Sequence, residues 1–330
     1  MSNRRETGDG VPRELGGLPA VGGAHQALQE VVLELRRRTF RDMSEAQAFV
    51  DARMAAYNDA GQEGLEGLSP NQMRSLLDVD WFNGQGLRLA TDLSLDDLSH
   101  SRFLFNVRAL LLALRDDGPA PATQAGNLSR AFVRTMLERL RWEGASGDEL
   151  NQSARTLNEA DVWPLHVSRL VATLAGLVVR RKGFRISARG KLLLRDSRAG
   201  ELHAALFNAY YKKLNLAYTD TLREQPRLQS DIAFSLWVVR GMARNWVSEK
   251  ELSRRVWRPE MTVPADRESP PWFDEAAWRA SAWLVRPLEW FGLLEVREVP
   301  GESTYAERVE VRKTPVFDRF LHFQMARRTG

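Results

Sequence analysis

Twice in this chain an apolar helical run stops at a glycine and the next residues start a strand. Gly176-Leu177-Val178 closes the run over 159–175, and Gly292-Leu293-Leu294 closes the run over 273–291. Glycine just past a helix takes the left-handed conformation without a steric penalty, so both are helix stops. In the first copy an apolar strand over 177–180 is followed by the basic turn Arg181-Lys182-Gly183 and a returning strand over 184–186. In the second, a strand over 293–297 leads through a turn containing Pro300 and Gly301 to a strand over 307–312. There Val309 and Val311 alternate with charged neighbours, the period of a half-buried strand. Each hairpin returns into a terminal helix, over 191–194 in one copy and 317–323 in the other.

Helices precede both hairpins. Residues 103–114 form an apolar helix, and Ser129 caps a helix carrying Phe132, Val133, Met136 and Leu137 along one side. In the second copy an apolar helix over 233–242 precedes Ser248-x-x-Glu251, which reads as a capping box for a helix ending at Trp257. A Pro-rich loop, 259–271, follows. Helices followed by a β-hairpin make the layout of a winged-helix unit. The expected fold is therefore mainly α, a helical N-terminal region followed by two winged-helix-like units with short β-hairpins. The boundaries read as a disordered leader over 1–24, a helical region over 25–100, a first unit over 101–198, a helical connector over 199–229 and a second unit over 230–330. Within the N-terminal region, 25–38 reads as a helix, Ser44-x-x-Gln47 as a capping box and Ser69-Pro70 as a helix start. Residues 80–98 read as an irregular acidic connector. The aromatic residues Phe207, Tyr210 and Tyr211 read as core.

The chain has no cysteine, which excludes disulfides, thiolate metal sites and a cysteine nucleophile, and fits a reducing compartment. It has no signal-peptide pattern and no apolar run of the roughly 18–20 residues that span a bilayer, so a cytoplasmic protein without membrane contact is expected. Net charge is +4, distributed unevenly: residues 1–150 carry −5 and residues 151–330 carry +9. Attraction to phosphate belongs to the second half. Arginine outnumbers lysine 41 to 6, which fits a GC-rich genome and does not by itself indicate nucleic acid.

The run Leu68-Ser69-Pro70-Asn71-Gln72-Met73, the segment Thr123-Gln124-Ala125-Gly126-Asn127-Leu128, and Gly176-Leu177-Val178 leading to Ser187-Ala188-Arg189-Gly190 carry a resemblance. Over roughly 28–240 the chain resembles a bacterial winged-helix-containing family without assigned function. That family is related to proteins that carry a SEC-C metal motif or a domain named after a plasmid open reading frame. SEC-C needs cysteines, so this chain departs there. The resemblance implies the fold and brings no catalytic residue.

No phosphate-cradling glycine loop, nucleophile elbow or H-E-x-x-H pattern occurs. His25, His100, His166, His203 and His322 lack metal-ligand spacing and read as surface or satisfied histidines. Asp96-Asp97 and Asp116-Asp117 sit near element ends rather than as an acid–base pair. No enzyme activity, metal or cofactor is expected. The charged constellation that stands out lies at the first hairpin. Between 180 and 198 there are eight basic residues and one acid, Asp196. The candidate nucleic-acid-binding residues are Arg180, Arg181, Lys182, Arg185, Arg189 and Lys191, extended by Arg130 and Arg134 one helical turn apart. The second hairpin, between 295 and 312, holds five acids and three arginines and should repel phosphate. Two readings follow. One is a DNA-binding, regulator-like protein whose first wing contacts double-stranded DNA. The alternative is a protein-interaction or scaffold module, contacting another protein or itself through the second unit. Trp272, Trp278, Trp283 and Trp290 are candidate anchors there, with a core stripe the simpler account of Trp283 and Trp290.

Overall fold

The computed structural model describes residues 22–141, 157–222, 224–257, 274–300 and 307–325, the side chains of 22–27 and 307–308 excepted. The leader before residue 22, the loop 259–271, Trp272 and the turn at Gly301 lie outside the described residues. The fold is mainly helical, with small two- and three-stranded antiparallel sheets. The chain divides after Asn71 into two compact units.

In the first unit α1 (Gly22–Arg37) and α2 (Met43–Asp59) are joined by a short turn. The capping residue of α2 is Asp42, whose carboxylate accepts the Glu45 N–H at 2.9 Å, while the Glu45 carboxylate accepts the Arg41 N–H at 2.7 Å. The helix is thus capped two residues earlier than expected, by Asp42 in place of Ser44. Glu45 reaches back past the cap to the Arg41 N–H, and Ser44 falls inside the helix. Phe49 packs 5.6 Å from Phe40, and Arg53 clasps Glu34 at 2.7 Å.

The second unit contains α3 (Pro70–Leu76) from Gln72 onward, then β1 (Leu87–Leu89), α4 (Arg102–Asp116), α5 (Arg130–Leu137), α6 (Trp163–Leu174), β2 (Val178–Arg180), β3 (Phe184–Ile186), α7 (Ala188–Leu193) and α8 (Ala199–Lys213). Two short helices follow, α9 (Ala217–Asp220) and α10 (Pro226–Ser230), and then α11 (Ile232–Met242), β4 (Val247–Ser248) and α12 (Glu249–Val256). The chain ends with α13 (Glu275–Ala280), a π-type turn over Ser281–Val285, α14 (Arg286–Trp290), β5 (Leu294–Pro300), β6 (Glu307–Lys313), α15 (Pro315–Phe320) and β7 (Leu321–Phe323).

Both glycine stops are present, with φ of +73° at Gly176 and +74° at Gly292. Each is followed by an antiparallel hairpin, β2–β3 and β5–β6. On its free side each returning strand takes a further partner: Ala120 bridges to Phe184, and β4 pairs with β6. The two copies therefore share element order and strand order.

Several expectations change. Residues 80–98 are not a bare connector: β1 pairs with β7 at the far end of the chain, and Trp81, Leu87, Leu89 and Leu93 are buried. The alternation Leu87-Arg88-Leu89 is too short to register as a strand without its partner. The helix expected to open near Lys191 starts at Ala188, because the Ser187 hydroxyl accepts the Gly190 N–H and caps it there. The helix over 159–175 divides into a single turn at Glu159–Asp161 and α6, with Pro164 in the first turn of α6. Ser248 precedes α12 without a side-chain cap bond, since it lies in β4, paired to Glu310.

The core is built around α8. Phe207 lies 5.1 Å from both Phe291 and Phe320, and Phe103 lies 4.7 Å from Phe291. Side chains preceding the first hairpin, within 199–229 and flanking the second hairpin thus share one aromatic cluster. Each large ring contributes about 1.5–3 kcal/mol by leaving water. Ser101 joins the copies directly: it caps α4 through the Leu104 N–H, and its hydroxyl donates to the Trp290 carbonyl at 3.4 Å.

His203 sits inside this cluster, fully buried, 4.6 Å from Phe320 and 5.4 Å from Phe291. Neither ring nitrogen has a partner among the described residues, so it is not the satisfied histidine expected from the sequence. Burial pushes its pKa down to about 3, so the fold holds the ring neutral. Its contribution is complete above the unfolded-state value of 6.5 and declines as pH falls towards 3. His203→Leu should raise stability at pH 7 by about 1 kcal/mol, because an unpaired buried polar group is removed. It should also flatten the loss of stability between pH 6.5 and 4, measured by urea unfolding across that range.

Candidate nucleic-acid interface

The first hairpin is short and its cations divide between its faces and its tip. In the β2–β3 register Val179 opposes Arg185 and Arg180 opposes Phe184. Phe184 is buried, and Arg180 shares its side of the ribbon. The Arg180 guanidinium extends across the turn before α5, where a Cβ on Gly126 would lie 2.6 Å from its Nη1. Gly126, at φ +86°, leaves that space open. Arg185 faces the opposite side. Arg181 and Lys182 occupy the tip, which closes through the Arg181 N–H donating to the Gly183 carbonyl at 2.8 Å. Lys182 and Gly183 both have positive φ, +51° and +126°. A Cβ on Gly183 would lie 2.7 Å from the Ala120 carbonyl oxygen, so only glycine lets residue 120 approach the ribbon this closely.

Arg189 and Lys191 are not on the ribbon but on α7, and both are exposed. Arg130 and Arg134 are exposed along α5, whose cap is the Ser129 hydroxyl accepting the Phe132 N–H. Arg130 donates to the Asn158 side chain at 2.9 Å, a neutral partner. All eight candidates are exposed, and among the described residues none has an ion pair. Nearby arginines behave differently. Arg108 holds Asp196, Arg198 holds Glu201, and Arg139 meets Asp117 at 2.7 Å. Asp196, the acid within the basic stretch, is thus taken by a cation outside the candidate set.

In the second hairpin two arginines are bound to glutamates across the strands. Arg297 meets Glu310 at 2.7 Å and Arg312 meets Glu295 at 2.6 Å, each directly across the strands. Both guanidiniums cover Trp246, at 4.2 and 4.8 Å from its ring centre. Trp283 is buried and Trp278 is 42% exposed.

The helix before each hairpin is largely enclosed. In α6, Leu165, His166, Val167, Ser168, Arg169 and Val171 are buried, between α4 and α8. Arg169 points inward to Glu159, and Arg279 of α13 points inward to Asp220 at 2.8 Å.

A buried polar network anchors this region, and sequence reasoning missed it. Glu159 has no solvent access. Its carboxylate accepts the Leu128 N–H at 2.5 Å, Arg169 at 2.7 Å and His166 Nδ1 at 2.8 Å. His166 Nε2 lies 2.7 Å from the Tyr218 hydroxyl. Burial works to raise the Glu159 pKa, but the bonds from His166 and Leu128 and the charge of Arg169 outweigh it and hold the carboxyl below its ordinary value. Residues 166 and 169 share a helix face, a spacing visible in the sequence. Nothing local points to Tyr218.

Residues 99–199 match the family model described as the Y4jL N-terminal domain, a family with no function assigned. The match runs from just before α4 into the start of α8. No curated protein matches the chain, and no solved structure does. No described helix is long and apolar enough to cross a membrane. Among the described residues no group of His, Asp and Glu side chains is arranged to hold a metal ion.

Because the Glu159 carboxyl is depressed on folding, its contribution is present above its ordinary value of 4.5 and is lost as pH falls below it. Glu159→Gln leaves Arg169 buried and unpaired, and should cost about 3 kcal/mol in urea unfolding at pH 7. The deficit relative to the natural chain should shrink when both are unfolded at pH 3.5 to 4.

Proposed function

We propose that this protein binds the phosphate backbone of double-stranded DNA through the β2–β3 hairpin, with both hairpin copies serving as winged-helix units. The layout supports the winged-helix reading: helix, extended segment, two helices and a hairpin whose returning strand also pairs with that segment, in both copies. The observation that carries DNA contact is the contrast between the hairpins. The cations of the first are exposed and without ion pairs among the described residues, whereas Arg297 and Arg312 of the second are bound to glutamates. Exposed, unpaired cations on a narrow ribbon are placed to displace counterions from a duplex.

The enclosure of α6 sets the character of this binding. The helix preceding a wing commonly supplies base contacts in the major groove. Here its one arginine is buried against a glutamate. Contact is therefore to phosphates, and sequence preference is weak. The ion-paired arginines and excess acid of the second hairpin favour a further role for residues 230–330, contact with another protein or a second copy, with exposed Trp278 as an anchor.

The test is duplex DNA mobility shift at rising salt. With four hairpin cations engaged, log K against log salt should have a slope of about −4. The double substitution Arg181→Glu, Lys182→Glu should abolish the shift. Arg297→Glu should leave it unchanged, and unrelated duplexes should compete equally. Absence of a shift at low salt would remove the DNA reading. Light scattering after size exclusion tests the second role, and a monomer unaffected by Trp278→Ala would count against self-contact.

A further inference from the structure

We propose that Tyr218, His166 and Glu159 form a nucleophile, base and orienting carboxylate, and that the Tyr218 phenol accepts an acyl group from an uncharged ester. The geometry is that of an activated hydroxyl: Tyr218 Oη to His166 Nε2 at 2.7 Å, and His166 Nδ1 to Glu159 at 2.8 Å. Glu159 carries no proton to donate, since its carboxyl is held below its ordinary value by three donors. Nδ1 must therefore carry a proton, and in the neutral imidazole the Nε2 lone pair accepts the phenolic O–H. This is the tautomer a general base needs.

The remaining features set the class of ligand. Tyr218 is 49% exposed, so a substrate can reach it. Trp163 stacks on it with ring centres 5.8 Å apart at 25°, which offers a flat apolar surface beside the oxygen. The cation of the network, Arg169, is committed to Glu159 and is not placed to receive an anion. An uncharged ester with an apolar or aromatic part fits. By contrast Tyr210 and Tyr211 are fully buried, and burial raises both phenols.

The step balances without a further reagent. The phenolic oxygen attacks the ester carbonyl carbon, and its proton passes to Nε2. The carbon–oxygen bond to the leaving alcohol breaks with its electron pair, and the imidazolium returns the proton to that oxygen. The products are the acylated tyrosine and the free alcohol.

The test treats the full chain with p-nitrophenyl acetate, without DNA, following nitrophenol release and locating acetyl groups by mass spectrometry. Tyr57, which is half-buried and whose hydroxyl makes only a long 3.5 Å contact to Gln62, is the internal reference. Tyr218 should be acetylated on the order of 100-fold faster than Tyr57, the scale of general-base assistance. Its rate should rise less steeply with pH than that of Tyr57, because an adjacent base rather than solvent hydroxide takes its proton. His166→Gln should bring Tyr218 down to the Tyr57 rate, and Tyr218→Phe should remove the fast adduct. Equal rates or a shared pH profile in the natural chain would overturn the proposal, as would an unchanged rate in folded His166→Gln. The pH comparison decides even if that variant fails to fold. DNA binding plays no part in the readout, so this proposal and the previous one stand or fall separately.

Discussion

A carboxylate sealed from water is costly unless donors replace the solvent it lost, and around the first hairpin that requirement organises the backbone. Glu159 draws the N–H of Leu128, the guanidinium of Arg169 and the ring of His166 to one point. Leu128 precedes the cap of α5, and His166 and Arg169 belong to α6. One acidic side chain therefore fixes the start of one helix and the rotation of the next. Because Arg169 also lies 5.2 Å from the centre of the Phe184 ring, the same group reaches the returning strand of the hairpin. The exposed cations rest on a frame whose carboxylate is satisfied from within the protein.

The aromatic cluster around α8 performs the corresponding task for the apolar part. Phe103, Phe207, Phe291 and Phe320 come from distant parts of the sequence and meet within 5.1 Å pairwise contacts. The hairpin copies are consequently not beads on a linker. The stretch between them, read from sequence as a connector, contributes the most enclosed helix.

The architecture was legible wherever a local rule decides structure. Gly176 and Gly292 announced the helix stops, Ser129 announced its cap, and the burial of Phe207, Tyr210 and Tyr211 followed from residue type. Two kinds of feature were not legible. β1 exists only because β7 lies beside it, and no pattern near Leu87 points to Leu321. Ser248 has the spacing of a cap box, but pairing with β6 claims its neighbourhood first. For the candidate interface, charge clustering drew attention to these exposed cations but not to their division between ribbon, tip and α7, nor to the inward turn of Arg169. Tyr218 was invisible because its meeting with His166 is purely tertiary.

With the Ala120 carbonyl bonded across to Phe184 and no room even for a methyl group at residue 183, the ribbon is fastened near its tip as well as at its base. Held at both ends, the ribbon ties the backbone at Arg181 and Lys182 to the segment leading out of α4. The first hairpin is in that sense a braced projection rather than a free-standing one.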